Sequence, residues 1–339
     1  MRYSLLNTVL FYNLLMKRKL SLRKLSNMVL CGLAYSRKKS VSGKYPSILI
    51  VDISNRCNLH CVACRENPTK IYNQNTKSDK SIAIGDMDLD LYKKIIAESK
   101  DHIMMAVLYV NGEPLMQKDL FTMLKYADQC RVPSMIATNG MLMTKERSEM
   151  LLSSGVDFIK IAVSGFTQEV YQAYHRGGNI ETVKNNIADL VKTKNEMKSK
   201  TVIMLDYIVF EHNTSEINLF KDHCKDLGIF FNERAGLTQG RDGIAAHDEG
   251  NVTQPKDILC DWLWKIMVVN WDGAVMPCCE FTTWEDRLQM NEKGEKNFSL
   301  KDVWKGENYQ KFRKLHIEKG RKSIPRCSDC HYQGVKLQG

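Results

Sequence analysis

Short apolar runs at 48–53, 104–110, 133–138, 157–163, 202–210 and 229–232 alternate with helix-patterned stretches at 88–100, 117–129, 144–153, 168–174 with 180–197, and 213–226. Strands separated by helices of this length pair side by side and parallel, because each crossover returns the chain to the same end of the sheet. Thr144 is placed to cap one helix and Gly155 to stop it; Asn213 and Gly228 frame another. The pattern predicts an α/β fold. Six such units suit a partial (β/α)6 TIM-like barrel better than the closed barrel of eight. Reactive groups are then expected in the loops beyond the C-terminal ends of the strands.

The loop after the first predicted strand carries three cysteines in eight residues, Cys57, Cys61 and Cys64. Three thiolates suit a four-iron cluster in which one iron is left open for a small molecule. An open iron is reactive, whereas a fully ligated cluster stores or passes electrons. Structural zinc is the alternative, but it takes cysteines in pairs and leaves an odd triplet unexplained.

The chain has 339 residues, enough for one large domain with a smaller one beside it. No apolar run of about 18 residues predicts a membrane-crossing helix. Eleven clustered cysteines without a convincing secretion signal fit reduced thiols in a cytoplasmic setting.

The net charge of +10 is local. Residues 1–45 hold ten basic residues (Arg2, Lys17, Arg18, Lys19, Arg23, Lys24, Arg37, Lys38, Lys39 and Lys44) and no acidic one. Removing those ten from 49 basic residues leaves 39, equal to the 39 acidic residues. The body is neutral, and no nucleic-acid partner is expected. The first 45 residues read as a basic amphipathic helical arm. Three uses suit it: contact with an anionic membrane surface, packing on the enzyme body, or organelle targeting. A protein carrying such an arm would be cytoplasmic, with peripheral membrane association as an option.

Together, Cys57, Cys61, Cys64 and the segment Asn111-Gly112-Glu113-Pro114 after the second strand resemble the radical S-adenosylmethionine (SAM) superfamily, over roughly residues 46–335. The resemblance implies that the triplet holds a [4Fe–4S] cluster whose open iron takes the amino and carboxylate groups of SAM. It implies reductive cleavage of SAM to a 5′-deoxyadenosyl radical that abstracts hydrogen from a C–H bond, with flavodoxin or a ferredoxin-type protein as reductant. Asn111, Gly112 and Glu113 then match the segment that receives the SAM ammonium. Thr138 and Asn139 close the third strand as in the family. Ser164 and Arg176 match the contacts to ribose and carboxylate. An Arg fork suits a carboxylate. Two positions depart from the family pattern: Ala63 stands where an aromatic residue is frequent, and Ser164-Gly165-Phe166 has no Asp.

The tail adds Cys260, Gly273 and Cys278 in the spacing C-x12-G-x4-C, then Cys327 and Cys330. This resembles the SPASM/twitch extensions of the superfamily. It implies that these four cysteines bind one auxiliary [4Fe–4S] cluster, with Cys279 as a spare; a zinc ribbon is the alternative. Cys31, Cys130 and Cys224 are expected in the core. The implied layout is an arm at 1–45, the radical SAM core at 46–234, a linker at 235–254 and the auxiliary-cluster domain at 255–339.

An auxiliary cluster implies a net two-electron oxidation, so the family resemblance favours an oxidoreductase acting on a sugar, aminocyclitol or lipid-linked saccharide. Two alternatives stand beside it. One is a peptide maturase, although about 45 residues before the barrel are too few for a precursor-recognition module. The other is a non-catalytic zinc or iron–sulfur protein at a membrane. Oxidation needs a base, and Arg234, Arg241, Glu280 and His331 are candidates among which the sequence does not choose.

Overall fold

The computed structural model describes residues 3–62, 64, 84–236, 259–281, 288–291, 298–328 and 330. Ala63, Arg241, His331 and most of the expected linker lie outside them. The chain starts with helices α1 (Tyr3–Met16) and α2 (Leu22–Ser36). Five βα units and a sixth strand follow: β1 (Ile48–Val51), α3 (Leu89–Ser99), β2 (Met105–Val107), α4 (Leu120–Gln129), β3 (Ser134–Thr138), α5 (Lys145–Ser153), β4 (Phe158–Val163), α6 (Gln168–Tyr174) with α7 (Ile180–Glu196), β5 (Val202–Val209), α8 (Ile217–Leu227) and β6 (Phe230–Ala235). The tail holds α9 (Trp262–Lys265), β7 (Ile266–Val269), β8 (Val275–Met276), α10 (Leu300–Lys305), α11 (Glu307–Lys319) and α12 (Pro325–Ser328).

All eight strands share one open sheet, in the order β6-β5-β4-β3-β2-β1-β7-β8. Every neighbouring pair is parallel except the hairpin β7–β8. The six expected strands form in their expected order. β2 is shorter than its apolar run: Leu108 N still bonds to Met135 O of β3 at 2.8 Å, and the residues after it leave the ladder to build a loop. The helix expected from 213 starts at Ile217, after a 3-10 turn at Glu211–Glu216.

The strand pair β7–β8 was not expected. Its four apolar residues Ile266–Val269 directly follow a helical turn, and a fully buried strand this short has no alternation to betray it. Its turn uses Gly273 at φ +86°, with Gly273 N bonded to Asn270 O at 2.9 Å and Asn270 N to Ala274 O at 2.8 Å. Glycine adopts that conformation without a Cβ clash.

Strand alternation sorts the side chains onto two faces. Ile159, Ile161 and Val163 of β4 are fully buried in the main core, beside helix residues such as Val183, Ile187 and Leu190. Lys160 and Ala162 take the other face, where Ala162 stands in register with Asp206 and Asp206 with Asn232. Capping supports the helices: Thr144 Oγ1 accepts from Arg147 N, Asn179 Oδ1 from Thr182 N, and Gly228 ends α8 in the left-handed region.

The arm lies across the N-terminal ends of the strands. Leu6 is buried with Phe158, Val202 and Met204, near the starts of β4 and β5, and Val9 and Leu10 pack beside it. Lys19 is buried, and its ammonium meets Asp157 at 2.6 Å and Asp128 at 2.8 Å; Lys17 reaches Asp157 at 2.9 Å. Lys24 donates to Arg131 O at 2.6 Å, and Asn27 to Tyr45 O at 3.0 Å. The arm also reaches the tail, through Trp264 Nε1 to Lys39 O at 2.6 Å and Arg313 Nη1 to Ser40 O at 3.2 Å. Among the described residues no helix is long and apolar enough to cross a membrane.

Burying an ammonium costs several kcal/mol, which for Lys19 the close carboxylates of Asp157 and Asp128 offset. Asp157→Ala should therefore destabilise the protein by about 3 kcal/mol, seen as a lower midpoint in urea unfolding, while substitution of the exposed Arg37 should change it by less than about 0.5 kcal/mol.

Candidate active site

The loops beyond β1, β2, β3 and β4 lock onto one another. In the first, His60 N donates to Arg176 O at 2.9 Å and Val62 N to Tyr174 O at 3.0 Å, so the segment after α6 braces the cysteine loop. Asn139 Nδ2 donates to Asn58 Oδ1 at 2.9 Å and lies 4.0 Å from Cys57 Sγ. A Cβ on Gly112 would overlap the carbonyl oxygens of Ser54 and Arg56. Glycine there lets the loop after β2 pass directly beneath the cysteine loop, and Glu113 N bonds to Arg56 O at 2.7 Å.

Glu113 is buried, and its carboxylate ties three segments together. Oε1 accepts from Leu115 N at 3.1 Å and Thr138 Oγ1 at 2.7 Å; Oε2 accepts from Asn139 N at 2.8 Å. Burial raises its carboxyl above the usual range while these donors pull it back. A carboxylate offers about four acceptor sites, so Oε2 keeps one. Ser164 Oγ lies 2.7 Å from His175 Nδ1, and Ser164 O accepts from Asn213 Nδ2 at 3.0 Å. Burial, helped by Arg234, lowers His175 to about 3, so its ring stays neutral. Arg176 contributes its carbonyl to the brace and exposes its side chain. The seven expected contact residues thus sit around one end of the sheet. Asn111, Gly112, Glu113, Thr138 and Asn139 form the part knitted to the cysteine loop.

Sequence reasoning missed several charged groups. Asp52, at the end of β1, is buried and accepts from Asn111 N at 3.3 Å and Nδ2 at 3.2 Å. Inside the barrel, Asp206 of β5 accepts from Asn232 Nδ2 and Arg234 Nε, both at 2.6 Å, with Lys160 Nζ at 3.4 Å. Its carboxyl stays below the usual range because the two cations outweigh burial. Of the four candidate bases, Arg234 is thereby committed to an ion pair, and Glu280 lies near Cys279 Sγ. The signal was available: Lys160 and Asp206 each interrupt an apolar run, and with Arg234 they fall on the same strand face.

The tail cysteines Cys260, Cys278, Cys327 and Cys330 lie near enough to act electrostatically on one another, Cys278 with Cys260 and Cys327, and Cys327 with Cys260 and Cys330. Burial raises Cys260 and Cys327 to about 12, Cys57 to about 11, and Cys278 well above its usual value. Buried thiols that repel one another as thiolates suit a positively charged iron–sulfur core, whose binding expels their protons. Among the described residues no three His, Cys, Asp or Glu side chains form a group that would hold a metal ion. The cysteines of a cubane bind different irons, so they need not meet at one point.

The hairpin β7–β8 connects the two cysteine sets. Asp52 N donates to Val269 O at 2.8 Å, and Trp271 in the turn packs on Gly85, whose N donates to Asn55 Oδ1 at 2.9 Å.

Asp52 supplies a pH test. Burial raises it to about 7, against the Asn111 bonds, and Asp272 adds repulsion. The folded protein therefore holds a proton that the unfolded chain releases near pH 4, so stability falls as pH rises from about 4 to about 7. Asp52→Asn should remove this decline: its unfolding midpoint relative to wild type should rise between pH 5 and pH 8.

Two family models match the chain: "Radical SAM superfamily" over residues 51–212 and "Iron-sulfur cluster-binding domain" (SPASM) over residues 260–331. A "Tungsten-containing aldehyde ferredoxin oxidoreductase cofactor-modifying protein" from Pyrococcus furiosus is 26% identical over 83% of this chain and 86% of its own. An "AdoMet-dependent heme synthase" from Methanosarcina barkeri is 26% identical over 60% of this chain, which spans 55% of that protein. In fold, Streptococcus suis SuiB bound to S-adenosylmethionine superposes with TM-score 0.61 at 15% identity, covering 84% of this chain and 71% of SuiB. BtrN in complex with AdoMet and 2-DOIA superposes with TM-score 0.52 at 21% identity, covering 86% and 95%. With a partial-barrel core that places the cysteine triplet beyond β1 and a tail that gathers the second cysteine set, the chain carries a radical SAM domain followed by a SPASM domain, whose cofactors are a [4Fe–4S] cluster with SAM and auxiliary iron–sulfur.

Proposed function

We propose that this protein is a radical SAM oxidoreductase that removes two electrons from a small, hydroxyl-rich substrate of the sugar or aminocyclitol class. The observation that carries the reading is the β1–β7 pairing, which fixes the tail cysteines to the same sheet that bears the triplet. When bound, the triplet's cluster with SAM supplies a 5′-deoxyadenosyl radical, and the auxiliary cluster supplies an electron acceptor.

The protein's own groups divide the remaining work. Cys57, Cys61 and Cys64 hold the first cluster, and Cys260, Cys278, Cys327 and Cys330 the second. The loop Asn111-Gly112-Glu113, with Thr138 and Asn139, would hold the SAM ammonium, for which the buried Glu113 carboxylate supplies an acceptor. Ser164, oriented by His175, and Arg176 face the ribose and carboxylate end. Lys160, Asp206, Asn232 and Arg234 line the barrel face where a polar substrate finds both donors and acceptors. A flavodoxin or ferredoxin-type protein delivers the electron that starts each turnover.

A second reading, cofactor or peptide modification, is favoured by the relative that matches over most of its length, whose name is a cofactor-modifying protein. The substrate separates the two. Reconstituted protein with dithionite should convert SAM to 5′-deoxyadenosine, and a deuterated aminocyclitol should pass its label to that product. Label transfer only from a peptide or cofactor precursor supports the second reading; no SAM cleavage by iron-replete protein defeats both.

The ligand assignment has its own check. Cys278→Ala should lower bound iron from about eight to about four per chain, whereas Cys279→Ala should leave about eight.

A further inference from the structure

We infer that the outward face of the arm seats on an anionic membrane surface. The helix α1 is apolar around most of its circumference, yet among its described side chains only Leu6 and Leu14 are buried. Leu5, Phe11, Tyr12, Leu15 and Met16 lie on the opposite side, 45–64% exposed. A helix apolar on all sides is suited to burial on all sides, and the barrel covers one half of this one.

The second helix repeats the arrangement. Lys24, Asn27, Cys31 and Ala34, spaced three and four residues apart, face the body. Leu22, Val29 and Leu33, spaced seven and four apart, fall on the other side and are 85%, 53% and 39% exposed. Both helices lie across the strand N-termini, so both outward faces point away from the barrel. Of the sixteen large hydrophobic side chains exposed among the described residues, eleven belong to residues 5–41. That concentration exceeds the scattered exposure normal for a protein surface.

Charge selects the occupant. Arg18, Arg23, Arg37, Lys38, Lys39 and Lys44 are exposed, residues 1–45 contain no Asp or Glu, and Asp101, 3.9 Å from Arg23, is the neighbouring acid in contact. Apolar side chains rimmed by Lys and Arg match the acyl boundary and headgroups of an anionic bilayer. A second copy of this chain would oppose like charges. Neither helix crosses a membrane, so the contact is peripheral. It lies at the strand N-termini, leaving the cysteine loop at the other end free.

Flotation tests this with the full-length holoprotein and vesicles of phosphatidylcholine, with or without about 30% phosphatidylserine. Wild type should float with the phosphatidylserine vesicles and at least tenfold less with pure phosphatidylcholine. The variant Leu15→Asp/Leu22→Asp/Leu33→Asp and the variant Arg18→Glu/Lys38→Glu/Lys39→Glu should each lose at least tenfold, with SAM cleavage unchanged. No flotation of wild type, equal flotation of all three, or a wild-type dimer in sedimentation that the apolar variant dissolves would overturn the inference.

Discussion

Strand β1 is the joint on which the molecule turns. It is hydrogen-bonded to β2 on one side and β7 on the other, so it belongs to the barrel and the tail at once. The cysteine triplet leaves from its C-terminal end. A shared sheet fixes the separation between the two cysteine sets better than a tether would. The hairpin turn adds to the restraint, with Trp271 seated over Gly85. A side chain at position 85 would push the turn away from the very loop that carries the first three thiols.

The loops above the sheet are held by the same economy of donors and acceptors. Glu113 sits where three loop donors converge and has one acceptor site left. Its burial disfavours the charged form; the three bonds favour it. A cation arriving at the remaining site would shift that balance further toward the carboxylate. The same logic explains the buried thiols: alone they hold their protons, and metal is what allows them to ionise.

Much of this was legible in the sequence, and the reasons differ by region. The six strands of the core were readable because each is an apolar run bounded by turn residues, and α5 and α8 because Thr144 and Gly228 mark their ends. The cysteine triplet stood out by its spacing, and the tail set by its resemblance to the SPASM/twitch pattern. β7 escaped because four buried residues show no period. Asp52, Lys160 and Asp206 escaped because one charge inside an apolar run looks like noise until the register shows that neighbouring strands supply its partner. The arm was readable as basic and amphipathic. Its division into an inward half, where Lys17, Lys19 and Lys24 are engaged, and an outward half was not, since the partners Asp157 and Asp128 lie more than a hundred residues away.

That separation has a consequence for how the chain is made. The helix α1 is synthesised well before the strands it rests on: its floor consists of Phe158, Val202 and Met204, and the ion pair of Lys17 spans 140 residues. It cannot dock until β4 and β5 exist. Until those strands are made it is therefore an orphan helix, apolar on both sides with nothing to rest on, and its docking waits on more than a hundred later residues.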